Sequence, residues 1–111
     1  MSYLLDKSDR EPMDLMPGAR TRTYWGEHML FSLVEIDTNS EVPNHTHLHK
    51  QGGVVIEGEM EMGIGIGGEV RTLKVGDMYI IPGDVEHYAK CSDIPAKVLD
   101  VFSPVRETFK Y

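Results

Sequence analysis

The chain has 111 residues, 41% of them hydrophobic, with 18 acidic against 11 basic side chains and a formal net charge of -7. That length is one domain with room for a real core, and the acidic balance argues against nucleic acid or an anionic membrane as a partner. No apolar run approaches the roughly 20 residues of a membrane span, and residues 1–10 lack a charged start followed by an apolar stretch, so no secretory signal is expected and the location is cytoplasmic by default. Cys91 is the single cysteine. An internal disulfide is therefore excluded, which fits a reducing compartment, and a buried apolar filler is the simplest reading of its thiol.

Taken in order, residues 1–19 hold Pro12, Pro17 and Gly18 with little periodicity and read as an N-terminal arm, loose or packed on a neighbouring subunit. Strand signals dominate residues 20–111. Residues 20–25 alternate, 29–36 are apolar and β-prone, and 53–56 run into a turn-like Glu57-Gly58-Glu59. Met60, Met62, Ile64 and Ile66 then alternate with Glu61, Gly63 and Gly65, the period of a strand with one buried face. Gly67-Gly68 marks a hairpin. Residues 70–75, 77–81, 87–91 and 97–102 complete a series of short strands divided by Gly76, Pro82-Gly83 and Asp93-Ile94-Pro95. Such spacing without helical segments predicts an all-β sandwich or barrel. Met60, Met62 and Met78 are expected in the core. Gly63, Gly65, Gly67 and Gly68 lack the helix and lysine of a phosphate loop.

Four of the five histidines fall in two places: His45-Thr-His47-Leu-His49-Lys-Gln51, and His87 behind Pro82-Gly83-Asp84-Val85-Glu86. Imidazole is a common ligand for Zn, Ni, Cu and Fe. On a strand, residues i and i+2 share a face about 7 Å apart, so His45 and His47 can converge on one ion. Gln51 is six residues from His45, and an extended chain would carry it about 20 Å away. The chain must therefore bend between Leu48 and Lys50 for Gln51 to join. Spacing leaves His49 open as a ligand or as a group behind the ligands.

A second constellation lies at the C-terminus, Asp100-Val101-Phe102-Ser103-Pro104-Val105-Arg106-Glu107-Thr108-Phe109. Asp100 and Phe102 share a face of an otherwise apolar strand, where a carboxylate is costly unless paired, bound or catalytic. Arg106 has the fork to hold a carboxylate bidentately. Arg20 and Arg22, on an alternating strand with Tyr24-Trp25, either line a barrel mouth or form a solvated face.

His45-x-His47-x3-Gln51-x6-Gly58 resembles the first cupin motif, with Gln in place of the usual Glu, and Gly76-x5-Pro82 continuing to His87 resembles the second. The resemblance implies a single-domain cupin double-stranded β-barrel of the RmlC-like jelly-roll type, with one divalent metal ion held by His45, His47, Gln51 and His87. Three neutral imidazoles and a neutral amide leave the ion's charge uncompensated. The Gln is thus modest support for Lewis-acid chemistry over O₂ chemistry, since iron oxygenases commonly use a carboxylate ligand. Zn, Ni, Mn, Fe and Cu all suit such a set.

Together with these ligands, the stretch from Asp100 to Phe109 is similar to the pectin-degradation, KdgF-type cupins that linearise unsaturated uronates. That resemblance implies a homodimeric, metal-dependent, non-redox enzyme taking a small anionic sugar-acid substrate. The reaction would open 4,5-unsaturated galacturonate or mannuronate to 5-keto-4-deoxyuronate, with Asp100, Phe102 and Arg106 as active residues. Lys50 stands where an acidic residue is frequent, and Gly52-Gly53-Val54 replaces a bulkier run that often includes an aromatic. Two other classes stay open: a cupin dioxygenase using bound Fe, Mn, Ni or Cu, and a metal-containing sugar-binding cupin without turnover.

Overall fold

The computed structural model describes residues 3–47, 49–65 and 67–111, and it holds nine strands, two short 3-10 turns and, among the described residues, no α-helix. The strands are β1 (Met13–Met16), β2 (Ala19–Trp25), β3 (Leu30–Ile36), β4 (Glu41–His45), β5 (Lys50–Ile64), β6 (Glu69–Lys74), β7 (Met78–Ile81), β8 (His87–Lys90) and β9 (Ala96–Ser103). All pairings are antiparallel. They form two facing sheets, one ordered β1-β2-β3-β9-β5-β7 and the other β6-β5-β8-β4. The result is a nearly closed all-β barrel, one of the two forms that the strand spacing predicted, and it has the jelly-roll form that the motif resemblance implied.

β5 belongs to both sheets, and this sharing closes the barrel. Its first half pairs with β9 and β7, its second half with β6 and β8. The register slips between Val55 and Glu57, so Ile56 is an extra, exposed residue. Parity reverses there: Gln51 and Val55 face inward before the bulge, Met60 and Met62 after it. Gly58 makes the bend possible, because its φ is +73° and a Cβ would collide with the Pro95 carbonyl. Glu57-Gly58-Glu59 is therefore a bulge within one 15-residue strand and not the turn expected between two shorter ones. The alternation through Met60, Met62 and Ile64 holds, while Ile66 lies outside the described residues.

Ala19, Val34, Ile36, Val55, Met60, Met62, Leu73, Tyr79, Ile81, Ala89, Cys91, Ala96 and Val98 fill the barrel, and Leu30, Phe102 and Val105 make a smaller cluster at one end with Phe109 packed on it. Met78 is a correction: it is 75% exposed. The apolar run Met78-Tyr79-Ile80-Ile81 hides its parity from the sequence, and pairing with Gln51–Val54 turns Tyr79 and Ile81 inward and Met78 and Ile80 outward. Within the segment read as an arm, residues 13–16 form β1 on the edge of β2, and Leu15 and Met16 pack against the core. Arg20 pairs with Glu35 and Asp37, and Arg22 with Glu35, on the outer face, so neither lines the cavity.

Candidate metal centre and cavity

Each histidine of the cluster is placed by a different device. β4 ends at His45, whose cross-strand partner is His87 at the start of β8, and their rings lie 4.2 Å apart between centroids. His47 lies beyond the end of β4, so the shared strand face expected for His45 and His47 is replaced by a bend that turns the second ring back; its centroid is 5.8 Å from that of His45 and 5.2 Å from that of His87. Ligand atoms of His45, His47 and His87 all lie within 4.8 Å of one another, forming a group able to hold a metal ion.

β4 ends at His45 in one sheet and β5 begins at Lys50 in the other; the bend expected between Leu48 and Lys50 starts at Leu48, which lies outside the described residues. Gln51 is buried, and its Oε1 lies 3.1 Å from His47 Nε2. Two donors about 2.1 Å from one ion, at angles between right and tetrahedral, sit about 3.0–3.4 Å apart, so this pair has ligand-like spacing. His49 is not a member of that group; its ring lies 5.8 Å from that of His47 and its buried Nδ1 has no hydrogen-bond partner.

The donor set fits a cation. His45 Nδ1 donates to the Pro43 carbonyl at 2.8 Å and His87 Nδ1 to the Val85 carbonyl at 2.9 Å, which orients both rings and leaves each Nε2 free to ligate. The Nε2 of His87 is buried with no partner. Burial depresses the His87 pKa to about 4, and burial, followed by the Arg106 charge, lowers that of His47. Both are therefore neutral near pH 7, as ligands must be.

Beside this group, a cavity of about 70 Å³ runs into the barrel, lined among others by His45, Gln51, Tyr79, His87, Asp100, Phe102 and Arg106. That is room for a few waters. Asp100 is 8% exposed and accepts a hydrogen bond from the Tyr79 hydroxyl. Burial raises its pKa to about 6, against hydrogen bonding from Tyr79 and Gln51 and the charge of Arg106, which all pull it down. This accounts chemically for an amide at position 51: a carboxylate there would face Asp100, whereas the amide interacts with it favourably.

Arg106 follows β9, where the chain folds over the barrel mouth. Its guanidinium stacks on Phe109 at 4.1 Å and Phe102 at 5.4 Å, and it has no ion-pair partner within 4 Å among the described residues. The tail is anchored by Thr23 Oγ1 donating to the Phe109 carbonyl, and by the Tyr111 hydroxyl donating to the Glu11 carbonyl at 2.6 Å. Phe102, 2% exposed, packs edge-on against His47 and Phe109 at 5.5 Å each. Asp100, Phe102 and Arg106 thus meet the histidine group around one cavity. Tyr79 escaped the sequence reading, although it has the same parity in its strand as the buried Ile81.

Comparison with known proteins agrees with this architecture. The cupin domain model matches residues 32–102, and no curated protein sequence matches the chain. KdgF from Halomonas sp. superposes with a TM-score of 0.86 at 26% identity, covering 95% of this chain and 97% of that one. An RmlC-like cupin from Shewanella frigidimarina NCIMB 400 gives 0.89 at 26% identity, covering 99% and 97%. DMSP lyase DddQ from Ruegeria pomeroyi DSS-3, at 18% identity and TM-score 0.76 over 90% of this chain and 59% of that one, shares the fold. With the family model spanning β3 to β9 and the histidine group inside the resulting barrel, the chain belongs to the cupin family.

Proposed function

We propose that this protein is a metal-dependent, non-redox enzyme that opens the ring of 4,5-unsaturated galacturonate or mannuronate to 5-keto-4-deoxyuronate. The observation that carries the reading is a buried carboxyl, Asp100, sharing one cavity with Arg106, which has no ion-pair partner within 4 Å among the described residues, and with His45 and His87 of the convergent histidine group. The similarity to KdgF adds support. His45, His47 and His87, with Gln51 as a fourth ligand, would hold a divalent ion, which would supply positive charge to bind the sugar acid's oxygens and to ease loss of a proton from an oxygen held beside it.

The substrate is a cyclic enol ether bearing a carboxylate. Arg106, held flat against Phe109, receives the carboxylate in a bidentate fork and fixes the ring beside Phe102. Asp100, with a pKa near the working pH, passes its proton to C4 and takes one from the water that adds at C5. The C5 hemiketal then collapses: its hydroxyl loses a proton, the ketone forms, the C5–ring-oxygen bond breaks, and the protonated ring oxygen stays on C1 as a second hydroxyl, from which the water taken up is lost to give the open aldehyde. No electrons are exchanged overall. The test is the ultraviolet absorbance of the conjugated double bond in both monomers, with metal-loaded protein, chelated protein and Asp100→Asn. Decay above the spontaneous background, lost on chelation and in the variant, is expected; background decay throughout refutes the assignment.

We further propose a cytoplasmic homodimer. The single, buried Cys91 suits a reducing compartment. Support for self-association comes from the outer face of the six-stranded sheet, where Phe31, Val101, Gly52 and Ile80 form one cross-strand row and Leu33, Leu99, Val54 and Met78 the next. Isologous packing would pair this apolar face with itself.

A further inference from the structure

Three neighbouring strands bring Tyr79, Gly53 and Asp100 into one row. Gly53 of β5 is the cross-strand partner of Tyr79 on β7 and of Asp100 on β9. Tyr79 and Asp100 are therefore two strands apart, about 9–10 Å between backbones, and side chains at such positions do not ordinarily meet across an intervening residue. Here they do, because the residue between has no side chain. The tyrosine ring lies over Gly53 and its hydroxyl donates to Asp100 Oδ1. A Cβ on Gly53 would overlap Cζ and Oη of Tyr79 and Oδ1 of Asp100. Gly53 has no positive φ to explain it, so the glycine serves this crossing and not a turn.

We infer that Tyr79 is the positioning residue for Asp100, and that Gly53 is the opening through which it acts. This rests on the ring-opening reading above for its role in turnover. With Oδ1 engaged by the Tyr79 hydroxyl over Gly53, the carboxyl is fixed in orientation and cannot rotate to exchange its two oxygens. Both ends of the device are buried, and Tyr79 lines the cavity. It touches the carboxyl and is not assigned contact with the substrate. The same row continues to Ser32 of β3, and Ser32 Oγ lies 2.6 Å from Thr21 Oγ1, so the wall behind Asp100 is polar and hydrogen-bonded.

Tyr79→Phe keeps the ring and removes only the hydroxyl. Misplaced general acids cost on the order of 100-fold, so kcat is expected to fall about 10- to 100-fold with KM and bound-metal content unchanged. A second readout needs no substrate: the Asp100 carboxyl carbon resonance, in protein labelled with ¹³C-aspartate and held at one pH, should move in Tyr79→Phe. Wild-type kcat in the variant, or an unmoved carboxyl resonance, overturns the assignment. Should the wild-type protein leave both uronates untouched, the ring-opening reading falls separately, and the resonance alone decides whether Tyr79 holds Asp100.

Discussion

Removing and restoring a divalent ion should change the stability of this protein by an amount the site itself bounds. His87 Nε2 is buried without a partner while its Nδ1 is tied to Val85, so the ring cannot turn to satisfy it. A buried polar atom left unmet costs about 1–3 kcal/mol, and an ion binding there relieves it. An unfolded chain has no preformed site, and an ion at about a hundredfold excess over its Kd stabilises the fold by about 2.7 kcal/mol. For a domain of this length 1 kcal/mol is worth about 4 °C, so Zn, Ni or Mn added to chelated protein should raise the melting temperature by roughly 10 °C. His87→Ala removes a ligand and the unmet nitrogen together; the chelated variant should melt near the chelated wild type, with the ion-induced shift reduced to about 2 °C or less. Scanning calorimetry with parallel elemental analysis reads both quantities. No ion-dependent shift in the wild type, or an equal shift in His87→Ala, would refute the reasoning.

Three further outcomes are expected. Phe102→Ala, which empties a 2%-exposed site against Phe109 and His47, should cost about 3–5 kcal/mol in urea unfolding; a loss below about 1 kcal/mol would show the C-terminal cluster to be loosely packed. Gln51→Glu sets a carboxylate beside Asp100, so the chelated variant should melt lower than wild type, while titration calorimetry should find the ion bound about tenfold tighter or better, about 1.4 kcal/mol; unchanged affinity would place Gln51 outside the ligand set. Replacing Met78 and Ile80, 75% and 82% exposed, by lysine should convert a dimer to a monomer in sedimentation velocity with the melting temperature nearly preserved, and an unaltered sedimentation coefficient would remove that face as the interface.

Much of the architecture follows from local pattern. Short alternating segments punctuated by Gly and Pro can bury one face only by folding sheet on sheet, and the paired histidine motifs sit where such a barrel has its opening. His45, His47 and His87 were legible because imidazoles at those spacings have few structural reasons to cluster. Asp100 was legible because a carboxylate stands on the buried parity of an apolar strand. β4 was not, since Pro43 and Asn44 interrupt any alternation and the strand exists only because β8 pairs with it.

What the sequence alone determined, then, is the class of the fold, the inward parity of β9 and the identity of the histidine group, because each is a property of a short stretch read against a strand period. Tertiary structure decided the rest. The bulge at Ile56 depends on β5 serving two sheets, and the exposure of Met78 depends on which neighbours β7 meets. The reach of Tyr79 over Gly53 to Asp100 joins residues 26 and 47 positions from that glycine. No local period records such a relation, because it is set by strand register across the sheet, where a missing side chain on one strand becomes the space used by its two neighbours.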